Sequence, residues 1–487
     1  MGDTMRIIRK SVPLVMLALV TAGCSTTPPI AMKADEWPKA YTAPTTAGTP
    51  VELSAEWWKS FSSPELTGLV ETASTDNLDL AVYAARVRQA QAQTGEAAST
   101  LFPSIGLNGS ARRQGGQGYA VNSFGASLNA SYQVDFWGQA QDNLRSARYS
   151  ARAALYAQDV GQLSVSADVA NAYFLVLSLR ERVAIANRNV AAARRILQIT
   201  TAKVTNGVSS NLELAQQTAI VAGEESQIPG LEEQEREARY ALAILLGKVP
   251  EGFDVKADTL EGLSAPPVEP GLPSALLQRR PDIGEAEATL YASHANLDAA
   301  RAAFLPAIGL TGSGGYASST LSNLINPSNL AWSIGASLLQ AIFDGGRLTS
   351  QRDFAKAQEA EMVATYRKTV LSALSDVETS LGSTSSLAER ERLTTIQVEN
   401  ATEAFRISEL QYREGVVDLL TLLQVQQTLF SSQDTLVQIK LARLEAGVGL
   451  YLALGGGWTL AADADKPTRN DFVPVPDLTD LPVGKLF

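Results

Sequence analysis

The side chains best suited to chemistry are scarce in this chain of 487 residues: it has one cysteine, Cys24, and one histidine, His294. A metal centre needs several His, Cys or carboxylate ligands at set spacing, and covalent catalysis needs a nucleophile within reach of a base. His294 sits in an alanine-rich helical stretch with no repeated carboxylate or cysteine cluster beside it, and reads as structural. Gly455-Gly456-Gly457 follows a helical stretch instead of opening a helix after a strand, so it is not a phosphate loop. These features predict no enzyme, no cofactor and no metal. The formal charge of -11, without clustered Lys and Arg, argues against a nucleic-acid partner.

Cys24 has a specific context. Arg6, Arg9 and Lys10 precede the apolar run Val12 to Val20, and Thr21-Ala22-Gly23 leads into the cysteine. Basic, apolar, then small is the order of a secretory signal, here residues 1–23, whether the start is Met1 or Met5. The apolar run is shorter than the roughly 20 residues that span a bilayer. The end of the signal resembles a lipobox, with Thr21 where such motifs usually carry Leu. It makes Cys24 the expected attachment point for a diacylglycerol/palmitate lipid, and Ser25 in place of an aspartate suggests sorting to an outer membrane. Each buried CH₂ of a lipid contributes about 0.8 kcal/mol, so further membrane contact is expected.

The rest of the chain is a duplication. Leu101-Phe102-Pro103-Ser104-Ile105-Gly106-Leu107 recurs as Phe304-Leu305-Pro306-Ala307-Ile308-Gly309-Leu310, and Asp79-Leu80 as Asp282-Ile283, both 203 residues on. Val134-Asp135-Phe136-Trp137-Gly138 answers Ala341-Ile342-Phe343-Asp344-Gly345 at an offset of 207, and Gly207-Val208 and Leu246-Gly247 answer Gly415-Val416 and Leu454-Gly455 at 208. The first repeat is placed at 63–250: a helix from Ser63 and Pro64 to about Thr100, a strand pair near 102–136, and helices near 139–205 and 209–246. After a linker at 251–272, the second occupies 273–456, with a helix from near Ser274, strands near 304–343, and helices near 347–413 and 416–454. Each long helix, about 100 Å at 1.5 Å per residue, ends at a glycine suited to a left-handed cap. Helices of that length need partners throughout, which a coiled-coil-like wall supplies.

From Phe124 to Phe136 apolar and small polar residues alternate strictly, and Trp332 to Leu338 repeats the pattern. Period two reads as a strand with one apolar face. Strands of roughly 10 residues flanked by Phe102, Tyr119, Phe136, Trp137, Phe304, Tyr316 and Phe343 suit a membrane barrel with aromatic girdles. Four strands cannot close a barrel, and lipid cannot satisfy an open edge. Two chains would give a filled interior of eight strands, so a pore points to three chains and twelve strands.

In combination, Val134-Asp135-Phe136-Trp137-Gly138, Arg279-Arg280-Pro281-Asp282-Ile283, Phe343-Asp344-Gly345-Gly346-Arg347 and Ala453-Leu454-Gly455-Gly456-Gly457-Trp458 resemble the TolC/OprM-like outer-membrane efflux family, over essentially Trp57 to Trp458. The resemblance implies an α+β membrane protein: a homotrimer with a twelve-stranded outer-membrane β-barrel continued by an α-helical periplasmic tunnel. Segments 24–62, 251–272 and 457–487 would form an equatorial region. The implied partners are outer-membrane lipid, a periplasmic adaptor and an inner-membrane RND-type transporter. The implied mechanism is a gate at the periplasmic tip, built here from Gly207, Tyr412, Arg413, Gly415 and Asp418, with Tyr412 matching a tyrosine used in polar links that hold the tip closed. Small tip residues are expected to let adaptor helices approach. Family members often carry an acidic ring at positions that are Thr421 and Gln424 here; Asp418 either replaces it or is an ordinary helix-terminal acid, and Arg413 pairs with Asp418 or with solvent. Asp135, Trp137, Gly138, Asp344 and Gly345 mark the barrel-to-helix junction. A type I protein-secretion channel would share this fold, and a periplasmic structural coiled-coil protein would share the helices alone.

Overall fold

The computed structural model describes residues 38–43, 54–265, 268, 270–456 and 458; Cys24 and its signal lie outside them. In chain order the elements are α1 (Pro64–Asp76), α2 (Leu78–Ser99), β1 (Ser104–Gly116), β2 (Tyr119–Val134), α3 (Gln139–Thr205), α4 (Asn211–Leu245), α5 (Leu276–Arg279), α6 (Pro281–Ala302), β3 (Ala307–Ser318), β4 (Leu330–Leu339), α7 (Arg347–Glu414) and α8 (Leu419–Ala453).

The stretch from Ser63 to Thr100 is two helices instead of one, because Asn77 takes an extended conformation. Its Oδ1 accepts from Leu80 N at 3.0 Å, starting α2, and its Nδ2 donates to the Leu245 carbonyl at 2.8 Å, closing the end of α4. Arg280 occupies the same joint in the second repeat. It is also extended, precedes α6, and donates from Nη1 to the Ala453 carbonyl at the end of α8 at 3.1 Å. Each joint is sealed by a left-handed glycine. A Cβ on Gly247 would stand 2.3 Å from the Asp76 carbonyl oxygen, and one on Gly455 1.9 Å from that of Arg279. The repeated glycines are thus fixed by backbone approaching backbone.

Around these joints lies the main core. Trp57, Phe61, Phe174 and Tyr451 pack ring against ring beside Leu66, Leu177, Leu242 and Leu276, all buried. Arg180 on α3 holds the linker after α4 with donations to the carbonyls of Val255 at 2.8 Å and Ala257 at 3.0 Å, and pairs with Glu235. From this belt the hairpins α3–α4 and α7–α8 run one way and the strands the other.

The strands form one antiparallel sheet in the order β1-β2-β3-β4. Its register sorts the side chains. Leu107 is opposite Leu128, Ala130 opposite Gly312, Tyr132 opposite Leu310, Gly312 opposite Ile334 and Ile308 opposite Leu338. Opposed residues share a face, so over the middle of the strands one side is apolar or glycine, with Arg113 opposite Asn122 and Ser318 opposite Phe124 on that side at one end. The other carries Asn108 with Ser127, Ser131 with Thr311, Asn129 with Ser313, and Ser313 with Ser333. Among the described residues nothing covers the apolar side: Leu107, Trp332, Ile334 and Leu338 are 70% exposed or more. An uncovered apolar face, opposed by hydroxyls and amides, is the arrangement of a lipid-facing barrel wall with a wet lumen.

Candidate functional site

At the end of the molecule farthest from the sheet, both helical hairpins turn in the same way. Gly207 (φ 74°) and Gly415 (φ 78°) are left-handed, and the following amides, Val208 and Val416, each donate 2.8 Å back into the last turn, to Lys203 and Gln411 carbonyls. These are Schellman caps. The next helices are capped equivalently: Ser210 Oγ accepts from Glu213 N at 3.3 Å, and Asp418 Oδ1 from Thr421 N at 2.9 Å. The tip is not made of small residues only. Val208 and Val416 are 73% and 71% exposed, and Leu212 and Leu420 are 67% and 61%.

Tyr412 joins the two hairpins. It is buried, and its hydroxyl shares a hydrogen bond of 3.0 Å with Thr200 Oγ1 on α3. Burial raises its pKa, so the phenol stays neutral at physiological pH. Lys203 reaches from α3 to the Tyr412 carbonyl, and its ammonium lies 4.3 Å from the ring centroid. Farther along, Arg195 pairs with Glu409 at 2.6 Å and Arg182 with Asp434 at 2.6 Å, again α3 to the second hairpin. Arg195, Thr200 and Lys203 on α3, with Glu409 and Tyr412 on α7, form a clasp near the tip.

Arg413 pairs with its neighbour Glu414 at 3.1 Å and, among the described residues, with none across the turn; of its two alternatives, Asp418 or solvent, Asp418 is not its partner here. Asp418 is occupied as a helix cap: hydrogen bonds from Thr421 hold its pKa below the ordinary carboxylate value. Thr421 and Gln424 are exposed on one flank of α8, and the tip carries no carboxylate there.

At the opposite ends of the long helices, Asp135 accepts from Ala140 N at 3.0 Å and Gln141 N at 2.8 Å, while Gly138 takes φ 84° at the helix start. Trp137 donates from Nε1 to the Pro306 carbonyl at 2.8 Å, fastening α3 to the entry of β3. Asp344 accepts from Gly346 N and Leu348 N, both at 3.0 Å, with Gly345 at φ 66°. Strand therefore turns into rod through a carboxylate that caps free helical amides.

The family described as Outer membrane efflux protein matches residues 69–248 and 272–456, once for each repeat. The chain belongs to this family. It is 38% identical over 462 residues to the pyoverdine export outer membrane protein OpmQ of Pseudomonas aeruginosa, covering 92% of this chain and 97% of that one. The cation efflux system protein CusC of Escherichia coli is 30% identical, covering 83% and 89%. The solved outer-membrane channel OprN superposes with a TM-score of 0.78 at 29% identity, covering 87% and 98%.

As an outer membrane efflux protein, the chain is a channel and not an enzyme, located in the outer membrane and extending into the periplasm. Its fold class is the trimeric barrel continued by a helical tunnel, which supplies the neighbours that β1 and β4 lack among the described residues of one chain. Sequence reading missed two features. Lys203 and Thr200 meet Tyr412 only because α3 packs against the second hairpin, chiefly along α8. His294 lies between carboxylates: its Nδ1 is 2.5 Å from Glu359 and its Nε2 3.7 Å from Asp298. Asp298, four residues on, was the available signal; Glu359 comes from another helix.

The role of Asp418 gives a prediction. If it is a cap, Asp418→Ala speeds hydrogen exchange at Leu420 and Thr421, and Asp418→Asn does not. Its lowered folded pKa means that the stabilisation is present above the ordinary carboxylate value and lost as pH falls through the folded value. Equal exchange in wild type and Asp418→Ala would contradict this.

Proposed function

We propose that this efflux channel is the exit duct of a tripartite pump, passively conducting small molecules received from an inner-membrane RND-type transporter through a periplasmic adaptor. The observation that carries the reading is the tip itself: two equivalent turns present Val208, Leu212, Val416 and Leu420 to solvent. Exposed apolar groups in a repeated arrangement suit docking to helices of a repeated adaptor. Three chains would offer six such turns. The names of the relatives, for pyoverdine and cations, favour small solutes over a protein cargo. The clasp around Tyr412 is the gate in this reading, holding the second hairpin against the first until docking parts them. Cys24 carries the lipid anchor.

A photo-reactive group on a cysteine at position 416, in a chain expressed with its cognate pump, is expected to capture the adaptor; the same group at Tyr119, beside the far hairpin turn, is not. Capture at neither position, from trimers that have reached the outer membrane, would sink the docking reading. Intact mass is expected to show a chain beginning at Cys24 with added diacylglycerol and acyl mass. An unmodified Cys24 would refute the anchor.

A further inference from the structure

In the second repeat a guanidinium is gripped by two carboxylates. Arg280 Nε and Nη2 donate to Asp282 at 3.0 and 2.8 Å, and Nη2 also reaches Asp376 at 3.1 Å. At the repeat offsets of 203 and 208, these acids correspond to Asp79 on α2 and Asp168 on α3. The first repeat therefore keeps both carboxylates. At the place of Arg280 it has Asn77, a neutral residue already committed to Leu80 and Leu245.

Asp79 and Asp168 line an open cleft of about 230 Å³, with Tyr83, Arg86 and Gly161 among its walls. The cleft differs from its counterpart in more than the missing arginine. Gly161 is the one glycine of the 67-residue α3, and a Cβ there would stand 2.5 Å from the Tyr83 ring. The corresponding residues of the second repeat are Thr369 and Ala286, so the aromatic wall belongs to the first repeat alone. Arg86 stacks on the Tyr83 ring, 5.6 Å from its centroid, and forms no ion pair with either acid. Among the described residues no cation lies within 4.0 Å of Asp79 or Asp168. Partial burial and the charge of Asp79 both push the Asp168 carboxyl upward, as expected for neighbouring carboxylates without a counter-ion.

Two carboxylates at positions that bind a guanidinium in the duplicate match a planar or ammonium cation in charge. We propose that the Asp79/Asp168 cleft is a binding site for an alkylguanidinium or alkylammonium group from outside this chain, which takes the place that Arg280 fills in the second repeat. The group is either a side chain of a neighbouring copy in the trimer or a free small amine.

The probe is agmatine, titrated calorimetrically at low ionic strength into the detergent-purified trimer. Heat dissociation of the trimer is followed in parallel for wild type, Asp168→Asn and Asn77→Arg. Saturable uptake by wild type that Asp168→Asn weakens at least tenfold, and that Asn77→Arg removes by supplying the cation internally, supports the site and a free ligand. No uptake, with a lowered trimer-dissociation midpoint in both variants, supports the site and assigns the cation to the neighbouring copy. Uptake indifferent to Asp168→Asn, or no uptake together with unchanged midpoints, overturns the proposal.

Discussion

Ile334→Arg is expected to remove the heat-modifiable trimer from the outer-membrane fraction, while Ser333→Arg, one residue away, leaves it there. Ile334 lies mid-strand in β4, opposite Gly312, on the uncovered apolar face and 83% exposed in the single chain. Ser333 points the other way, its hydroxyl 2.9 Å from Ser313 Oγ across the strand pair. An arginine facing lipid at the bilayer midplane costs about 2–4 kcal/mol, and a trimer incurs it three times, roughly 6–12 kcal/mol in all. On the lumen side the guanidinium stays in water. If both variants assembled equally, the assignment of the two faces would be wrong.

The second large effect is at the repeat joint. Gly455→Ala is expected to destabilise the chain by about 2–5 kcal/mol, combining the left-handed backbone cost with forced overlap. Gly455 has φ 91°, and the new methyl would press on the Arg279 carbonyl, displacing the turn that lets Arg280 reach Ala453. Gly415→Ala is the control. Its φ of 78° carries the same conformational cost, but nothing lies within 4 Å of the added Cβ, so about 1–2 kcal/mol is expected. Thermal unfolding in detergent, followed by circular dichroism, should rank wild type above Gly415→Ala and that above Gly455→Ala. Equal midpoints for the two variants would show that the close approach at the joint carries no energy.

What could be read in advance depended on the range of the contact. The strict alternation from Phe124 to Phe136 revealed a two-faced strand because period two is local. The duplicated Leu246-Gly247 and Leu454-Gly455 were visible as a pair, but their cause, the carbonyls of Asp76 and Arg279, lies about 170 residues away in sequence. The break at Asn77 was lost in a run of helix-compatible residues, although Asn followed by Asp79 is an N-terminal signal. The drift in offset from 203 to 208 falls across the strand hairpins. There, two-residue Gln117-Gly118 joins β1 to β2, whereas residues 319–329 join β3 to β4. At the tip, sequence could flag Tyr412 and Asp418 but not their partners. Thr200 and Lys203 meet Tyr412 through packing of α3 on the second hairpin, and Asp418 is used up by Thr421.

The most direct test of a gated exit duct is single-channel conductance of purified trimers in planar bilayers, comparing wild type with a Lys203→Ala/Tyr412→Phe double variant. Wild type should be mostly closed with small conductance, because α3 holds Tyr412 through Thr200 and Lys203; the double variant should conduct several-fold more. If inserted wild-type trimers are already fully open and the variant matches them, the gate is not at this clasp. If neither conducts, the channel account fails and a structural coiled-coil role replaces it.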